Sequence, residues 1–146
     1  CLPLRAAPLQ AVLPGNHPLA RRERVALRDL APEAMVLLDL PRTREYMLST
    51  FSRCGLEPRI EYRAQSVAML RGLVASGLGY SLLNFCPPYM HPGIGTLATR
   101  PLAPRQRAPN IVVAHSHRYR PTPAGRALVE CATELVKGLS LTCQRA

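Results

Sequence analysis

The sequence shows no long apolar run and no signal-peptide pattern. Its apolar runs, such as Met35–Leu38 and Ile111–Ala114, span only a few residues, whereas a membrane-spanning helix needs about 20. No charged-then-apolar leader stands at the amino end, and the chain begins at Cys1 rather than at a methionine. These absences predict a cytoplasmic protein with no membrane partner, and they indicate that the chain is part of a longer polypeptide.

The sequence also lacks paired cysteines and clustered metal ligands. Its cysteines are odd in number and widely spaced, with no C-x-x-C pair, so neither a disulfide framework nor a zinc site is indicated. We expect buried, reduced thiols, although a lone cysteine at position 1 could also mark a lipoprotein. His115 and His117 alternate along a strand, but no third ligand is near, so we expect no metal site. The cysteines are Cys1, Cys54, Cys86, Cys131 and Cys143.

Common catalytic motifs are absent as well. The sequence contains no G-x-S-x-G elbow, no H-E-x-x-H and no phosphate-binding P-loop. Gly77 and Gly79 follow a helical stretch rather than open one, which predicts a helix end and not a dinucleotide-binding loop. His17 lies in a turn, where we expect a structural role. We therefore expect no catalytic residues, no cofactor and no enzymatic activity.

Basic residues are abundant, but their distribution does not favour nucleic-acid binding. The formal net charge is +10, and eighteen of the nineteen basic residues are arginine. The arginines are scattered, and no basic recognition helix or aromatic-interleaved basic strand stands out. We therefore expect that this segment does not itself contact DNA.

Short apolar strands alternate with helical stretches, which predicts right-handed βαβ crossovers and an α/β sheet. Thr43 is a plausible N-cap for one helix, which Gly55 would end, and Ser66 can cap the next. The proline-rich stretch 86–109 predicts a loop-rich passage around Thr96–Thr99. The other predicted elements are strands at Gln10–Leu13, Met35–Leu38, Arg59–Arg63, Tyr80–Phe85 and Ile111–Ala114, a helical turn at Val25–Ala31, and a helix from Thr122-Pro123 to Val136.

Two stretches carry a resemblance to a known family. They are VLPGNHPLARRERVALRDLA, which contains a His-Pro-Leu-Ala motif, and MVLLDLPRTREYMLSTFSRCGLEPRIEYRAQSVAMLRGLVASGLGYSLLN. The pieces Gly55-Leu56-x-Pro58 and Leu73-Val74-x-x-Gly77-x-Gly79 occur in the family's order and spacing. On these residues the chain, over roughly 8 to 136, resembles the effector-binding domain of bacterial LysR-type transcriptional regulators.

The resemblance implies a fold like that of type 2 periplasmic binding proteins, in which two α/β lobes are joined by two crossover strands. Gln10–Leu13 and Ile111–Ala114 would be those crossover strands, lying side by side. Residues 9–116 would form one complete second lobe, and residues 117–146 would hold the helix that returns to the first lobe. That helix would lack most of its packing partners. Its apolar stripe should therefore be exposed or lightly packed: Ala124, Leu128, Cys131 and Leu135.

The resemblance also implies a function and its partners. The chain would sense a small-molecule effector between two lobes, and this would control DNA binding by a winged helix-turn-helix domain that the sequence does not contain. The intact protein would be a homo-oligomer, a dimer or a tetramer. A periplasmic solute-binding protein of the same fold, for a small anionic solute, is the alternative.

Candidate effector ligands follow two predicted strands. Pro41, Thr43 and Arg44 come after Met35–Leu38 and would combine a hydroxyl, free backbone N–H groups and a guanidinium, which suits a carboxylate. Gln65 and Ser66 come after the next strand, at an edge where open α/β sheets bind ligands. The alternative is that Thr43 and Ser66 only cap helices and that Arg44 is solvated.

Overall fold

A computed structural model of the chain describes residues 1–84, 96–114 and 122–138. The chain divides into a first unit, residues 1–8 with 107–146, and a second unit, residues 9–106. In the part of the chain that the structure describes, none of the helices has the length and hydropathy of a membrane span. The strands are β1 (Leu2–Ala6), β2 (Gln10–Pro14), β3 (Val25–Ala26), β4 (Ala34–Leu38), β5 (Arg59–Ala64), β6 (Ser81–Leu83), β7 (Leu97–Ala103) and β8 (Asn110–Val113).

The helices complete the second unit and return the chain to the first. A 3-10 turn precedes β3, and three α-helices alternate with strands β3 to β6. The alternation agrees with the sequence pattern, except that Val25 and Ala26, predicted to be helical, form β3. The helix predicted after Thr122 is also present, and the Gly125 N–H donates to the Thr122 hydroxyl over 3.1 Å, which confirms that cap. The helices are the 3-10 turn (Pro18–Arg21), α1 (Leu27–Leu30), α2 (Pro41–Ser52), α3 (Val67–Ala75) and α4 (Pro123–Gly138).

The second unit contains a mixed sheet in the order β3–β7–β2–β6 and a parallel pair, β4–β5. A parallel bridge between Met35 and Tyr80 connects the two, and the Ser81 hydroxyl donates to the Val36 carbonyl over 2.6 Å. β2 is antiparallel to both β6 and β7. The strands β4, β5 and β6 therefore point the same way, so their carboxyl ends meet at one edge. We call this the carboxyl edge.

The first unit pairs β1 with β8, antiparallel, from Leu2 opposite Val113 to Ala6 opposite Asn110. The prediction that Gln10–Leu13 lies beside Ile111–Ala114 is therefore wrong. Gln10 lies opposite Pro101 in β7 instead. In an antiparallel pair, residues earlier in one strand lie opposite residues later in the other. Since Gln10 lies opposite Pro101, the segment before Gln10 pairs with a segment after Pro101, and β1 therefore pairs with β8.

Two further expectations were wrong. The loop predicted around Thr96–Thr99 is wrong, because Leu97–Ala103 forms β7 against β2. The proline at position 101 argued against a strand, because proline has no N–H to donate to a neighbouring strand. In the described chain, however, β3 pairs only with Leu102 and Ala103 of β7, so Pro101 has a strand neighbour on one side only, in β2. The thiols expected to be buried are exposed at Cys1, Cys54 and Cys131; Cys86 and Cys143 lie outside the described residues.

Two glycines, Gly77 and Gly79, lie in the short segment that connects α3 to β6. Gly77 has a φ of +80°, the left-handed conformation of a helix end, which confirms its predicted role. Gly79 has a φ of +152°, and a Cβ added there would lie 2.2 Å from the carbonyl oxygen of Ala34. The contact between β4 and the chain entering β6 thus needs glycine.

Candidate functional site

The carboxyl edge lies in the second unit, where the largely buried strands β4 and β6 and the more exposed strand β5 end. Leu38 pairs with Ala64, and the Asp39 N–H donates to the Ala64 carbonyl over 2.8 Å, so the two chain ends leave the sheet together. The residues that follow are Asp39 to Pro41 after β4, and Gln65 with Ser66 after β5. Helices α2 and α3 both begin here, so their N-terminal N–H groups lie at the same edge.

The start of α2 differs from the sequence prediction. Leu40 is the N-cap, Pro41 is the first helical residue, and no side chain caps the helix. Thr43 is therefore the third residue of the helix and half-buried, and its predicted role as N-cap is wrong. Proline is favoured at the first position because its φ is already helical and it has no N–H to satisfy. This preference moves the start of the helix upstream of Thr43.

A carboxylate bridges two guanidinium groups beside this helix. Arg44, in the first turn of α2, donates to Asp39 Oδ1 over 2.8 Å, and Arg63, near the end of β5, donates to Oδ2 over 3.2 Å. We call these three residues the Asp39 clasp. The hydrogen bond from Arg44 is the main cause that lowers the pKa of Asp39, and the bond from Arg63 adds to it. Arg44, predicted to be a ligand, thus already binds a carboxylate of the same chain.

Ser66 caps α3. Its hydroxyl accepts the Met69 N–H over 3.1 Å, which confirms the predicted cap. Ser66, Gln65 and Pro41 are all exposed at the carboxyl edge, so their side chains are accessible to solutes. The predicted site residues are therefore brought to one edge, although their binding of an effector remains a prediction.

Sequence reasoning missed Asp39 and Arg63. Asp39 follows four wholly apolar residues, and an acidic residue directly after a buried strand was a usable signal. Arg63 was assigned to the strand only. β5 also carries Arg59 and Glu61, which form an ion pair over 3.2 Å, and a register shift against β4 interrupts the alternation of side chains along β5. Which of these residues reaches across to β4 depends on the register of β5, and the sequence does not specify that register.

The remaining candidates have structural roles or fall outside the site. His17 Nδ1 accepts the Leu19 N–H over 3.1 Å and caps the 3-10 turn, as expected of a structural residue. Within the described ranges, no three His, Cys, Asp or Glu side chains come together as a metal site would require. His115 and His117 lie outside those ranges.

Comparison with known proteins identifies the family. The model of the LysR substrate binding domain matches residues 1–137. The chain belongs to this family. The solved structure of HinK, a LysR family transcriptional regulator from Pseudomonas aeruginosa, matches with a TM-score of 0.79 and 32% identity, covering 92% of this chain and 47% of that one. The hydrogen peroxide-inducible genes activator of Pectobacterium carotovorum is 36% identical over 83 residues, 56% of this chain and 28% of the activator.

A second solved structure carries a ligand. The effector-binding domain of BenM with its effector benzoate matches with a TM-score of 0.56 and 27% identity, over 70% of this chain and 47% of that one. The chain spans about half of these structures and about a quarter of the curated relatives. The LysR family membership and the periplasmic-binding-protein-like α/β fold that the sequence predicted are confirmed. The relatives are transcriptional regulators, not enzymes.

Proposed function

We propose that the chain is the effector-sensing part of a LysR-type transcriptional regulator. The observation that carries the proposal is the family match over residues 1–137, on a chain whose carboxyl edge collects two helix starts and two arginines. The partners we propose are a small-molecule effector, DNA through a winged helix-turn-helix domain of the intact protein, and further copies in a dimer or tetramer. We propose a cytoplasmic location.

We propose that the effector is a small anion, a carboxylate being the best fit. Helix N-termini and guanidinium groups both favour negative charge, and both meet at the carboxyl edge. The ligand of BenM, benzoate, is a carboxylate. The residues proposed to contact the effector are Pro41, Thr43, Arg44, Gln65 and Ser66.

We propose that residues 9–106 correspond to one complete lobe of the family's two-lobed domain. This unit contains the whole of the buried core among the described residues. The first unit would correspond to the part of the other lobe to which the chain returns. We propose residue 106 as the end of the complete lobe, where the resemblance implied residue 116.

The regulator would work by a difference in affinity. An effector that binds one conformation more tightly than another shifts the population toward the first, by an amount fixed by the ratio of its affinities. Such a mechanism needs a binding group whose contact changes between states and no catalytic residue. We propose the Thr43 hydroxyl and the Arg44 guanidinium, at the start of α2, as these binding groups.

The test uses Thr43 in the intact regulator. We expect Thr43→Ala to raise the effector concentration needed for half-maximal response, while operator binding without effector stays near normal. Since Thr43 is not the helix cap, the variant should fold as well as the parent. Ser52→Ala, an exposed hydroxyl at the other end of α2, is the matched control and should leave the response unchanged. An unaltered midpoint in Thr43→Ala would remove Thr43 from the site.

A further inference from the structure

The Asp39 clasp fills part of the position where an anionic effector is proposed to bind. Asp39 is held on the backbone by its N–H bond to Ala64, and its two oxygens take one guanidinium each. The carboxylate is the more shielded partner, because its side chain is 22% exposed whereas those of Arg44 and Arg63 are 40% and 56% exposed. An incoming solute can thus reach the arginines more readily than it can reach the aspartate.

We propose that Asp39 is a specificity-determining residue, an internal carboxylate with which an effector anion competes for Arg44 and Arg63. This inference rests on the proposed function and names how the same site selects its ligand. An anion can bind at the clasp only by taking donors from Asp39 or by using the N–H groups that the guanidinium fork of each arginine leaves over. Monoanions that bind weakly are therefore selected against. An effector that makes further contacts at the carboxyl edge can offset the loss of the hydrogen bonds between Asp39 and the arginines.

The geometry distinguishes this from an ordinary surface ion pair. The clasp joins three elements, namely the chain after β4, the first turn of α2 and the end of β5, and it sits beside a helix start that has no side-chain cap. The N–H groups of Arg42 and Thr43 precede the first intrahelical bond, from the Arg44 N–H to the Leu40 carbonyl. If Asp39 no longer occupied the two guanidinium groups, an anion bound at this position would have both of them and these N–H groups as donors.

A second carboxylate of the same unit provides a matched control. Asp29 also lies between two arginines, accepting from Arg22 and lying 4.0 Å from Arg28. It sits in the short helix α1, and the carbonyl of Ala31, which follows this helix, accepts the Arg59 N–H at the opposite, amino-terminal end of β5. Removing either carboxylate leaves two arginines without that partner, but only the Asp39 variant does so at the proposed site.

The experiment titrates the 146-residue chain with inorganic phosphate at neutral pH, followed by amide NMR shifts of Arg42 and Thr43. We expect Asp39→Asn to bind phosphate about tenfold more tightly than the parent, because two charge-assisted donors are freed. We expect Asp29→Asn to leave the affinity at these amides unchanged, and the double variant D39N/R44Q to lose most of the gain.

Three results would overturn the inference: no gain in Asp39→Asn, an equal gain at these amides in Asp29→Asn, or a gain that survives Arg44→Gln. The two proposals also fail separately. If phosphate binding follows the expected pattern but the intact regulator shows no effector response, the proposed function alone is wrong. An effector-responsive regulator without the pattern would defeat this inference alone.

Discussion

The two units of the chain differ in how they bury apolar surface. Every residue of the buried core lies between Leu9 and Leu102, in the second unit. In the first unit, Ala7 is the only side chain buried among those the structure describes, while Leu128 and Leu135 of α4 are 69% and 67% exposed. The predicted exposure of the α4 stripe is thus confirmed. The second unit has a core of its own, whereas the first presents secondary structure whose apolar face is uncovered.

Substitution of Phe51 should give the largest effect. Phe51 on α2 is fully buried, and replacing such a phenylalanine by alanine costs about 3–5 kcal/mol of unfolding free energy. Leu128→Ala should change it by less than about 0.5 kcal/mol, since that side chain is exposed. Equilibrium urea unfolding followed by circular dichroism measures both. A similar loss of unfolding free energy in Phe51→Ala and Leu128→Ala would contradict the difference in burial between the units.

Gly79→Ala should come next. The added methyl group would collide with the Ala34 carbonyl, which is backbone and cannot rotate away, so we expect a loss of about 3 kcal/mol. Gly72→Ala is the control, because nothing lies within 4 Å of a Cβ there and Gly72 is inside α3. That change should stabilise the chain by about 0.5–1 kcal/mol. Urea midpoints that move in the same direction would contradict this explanation.

Hydrogen exchange should separate the units without any substitution. The amides of α4 belong to a helix with little buried surface, and those of α3 pack on the core through Leu70 and Val74. We expect central amides of α4 to exchange about tenfold faster than those of α3, relative to their intrinsic rates. Mass spectrometry of exchanged peptides measures this, and equal protection would mean that α4 is covered in solution.

How much the sequence could predict depends on the range of the interaction. Ser66 and Gly77 were predicted because a cap and a left-handed helix end are decided within a few residues. The partner of Gln10 was predicted wrongly because strand pairing is set across the whole second unit. Thr43 was assigned from its own propensity, and the stronger preference of Pro41 for the first helical position prevailed. Arg63 entered the site only through the register of β5.

The helix starts at the carboxyl edge offer a smaller test. Ser66→Ala removes a side-chain cap and should cost about 1 kcal/mol. Thr43→Ala removes none, so we expect a cost of less than about 0.5 kcal/mol. Thermal unfolding of the two variants side by side measures the difference. A Thr43 variant as unstable as the Ser66 variant would restore Thr43 as a cap.

The smallest effect should be a pH dependence from Asp39. Arg44 and Arg63 lower its pKa in the folded chain below the ordinary value of 3.8. Its contribution to stability is therefore complete above about that value, and it is lost as the pH falls through the lower, folded pKa. Parent and Asp39→Asn should therefore converge in unfolding free energy as the pH is lowered from 5 toward 2. A difference that is constant over this range would contradict the shift.

The pairing of β1 with β8 carries a consequence for the order of folding. Leu2 lies opposite Val113, so in an unfolded chain this contact closes a loop of more than a hundred residues, which is entropically costly. The second unit is one uninterrupted stretch, and its own pairing of Gln10 with Pro101 brings the preceding and following segments of chain together. Once it has folded, β1 and β8 need only close a short gap. The first unit should therefore form last, and we expect it to be lost first when the chain unfolds.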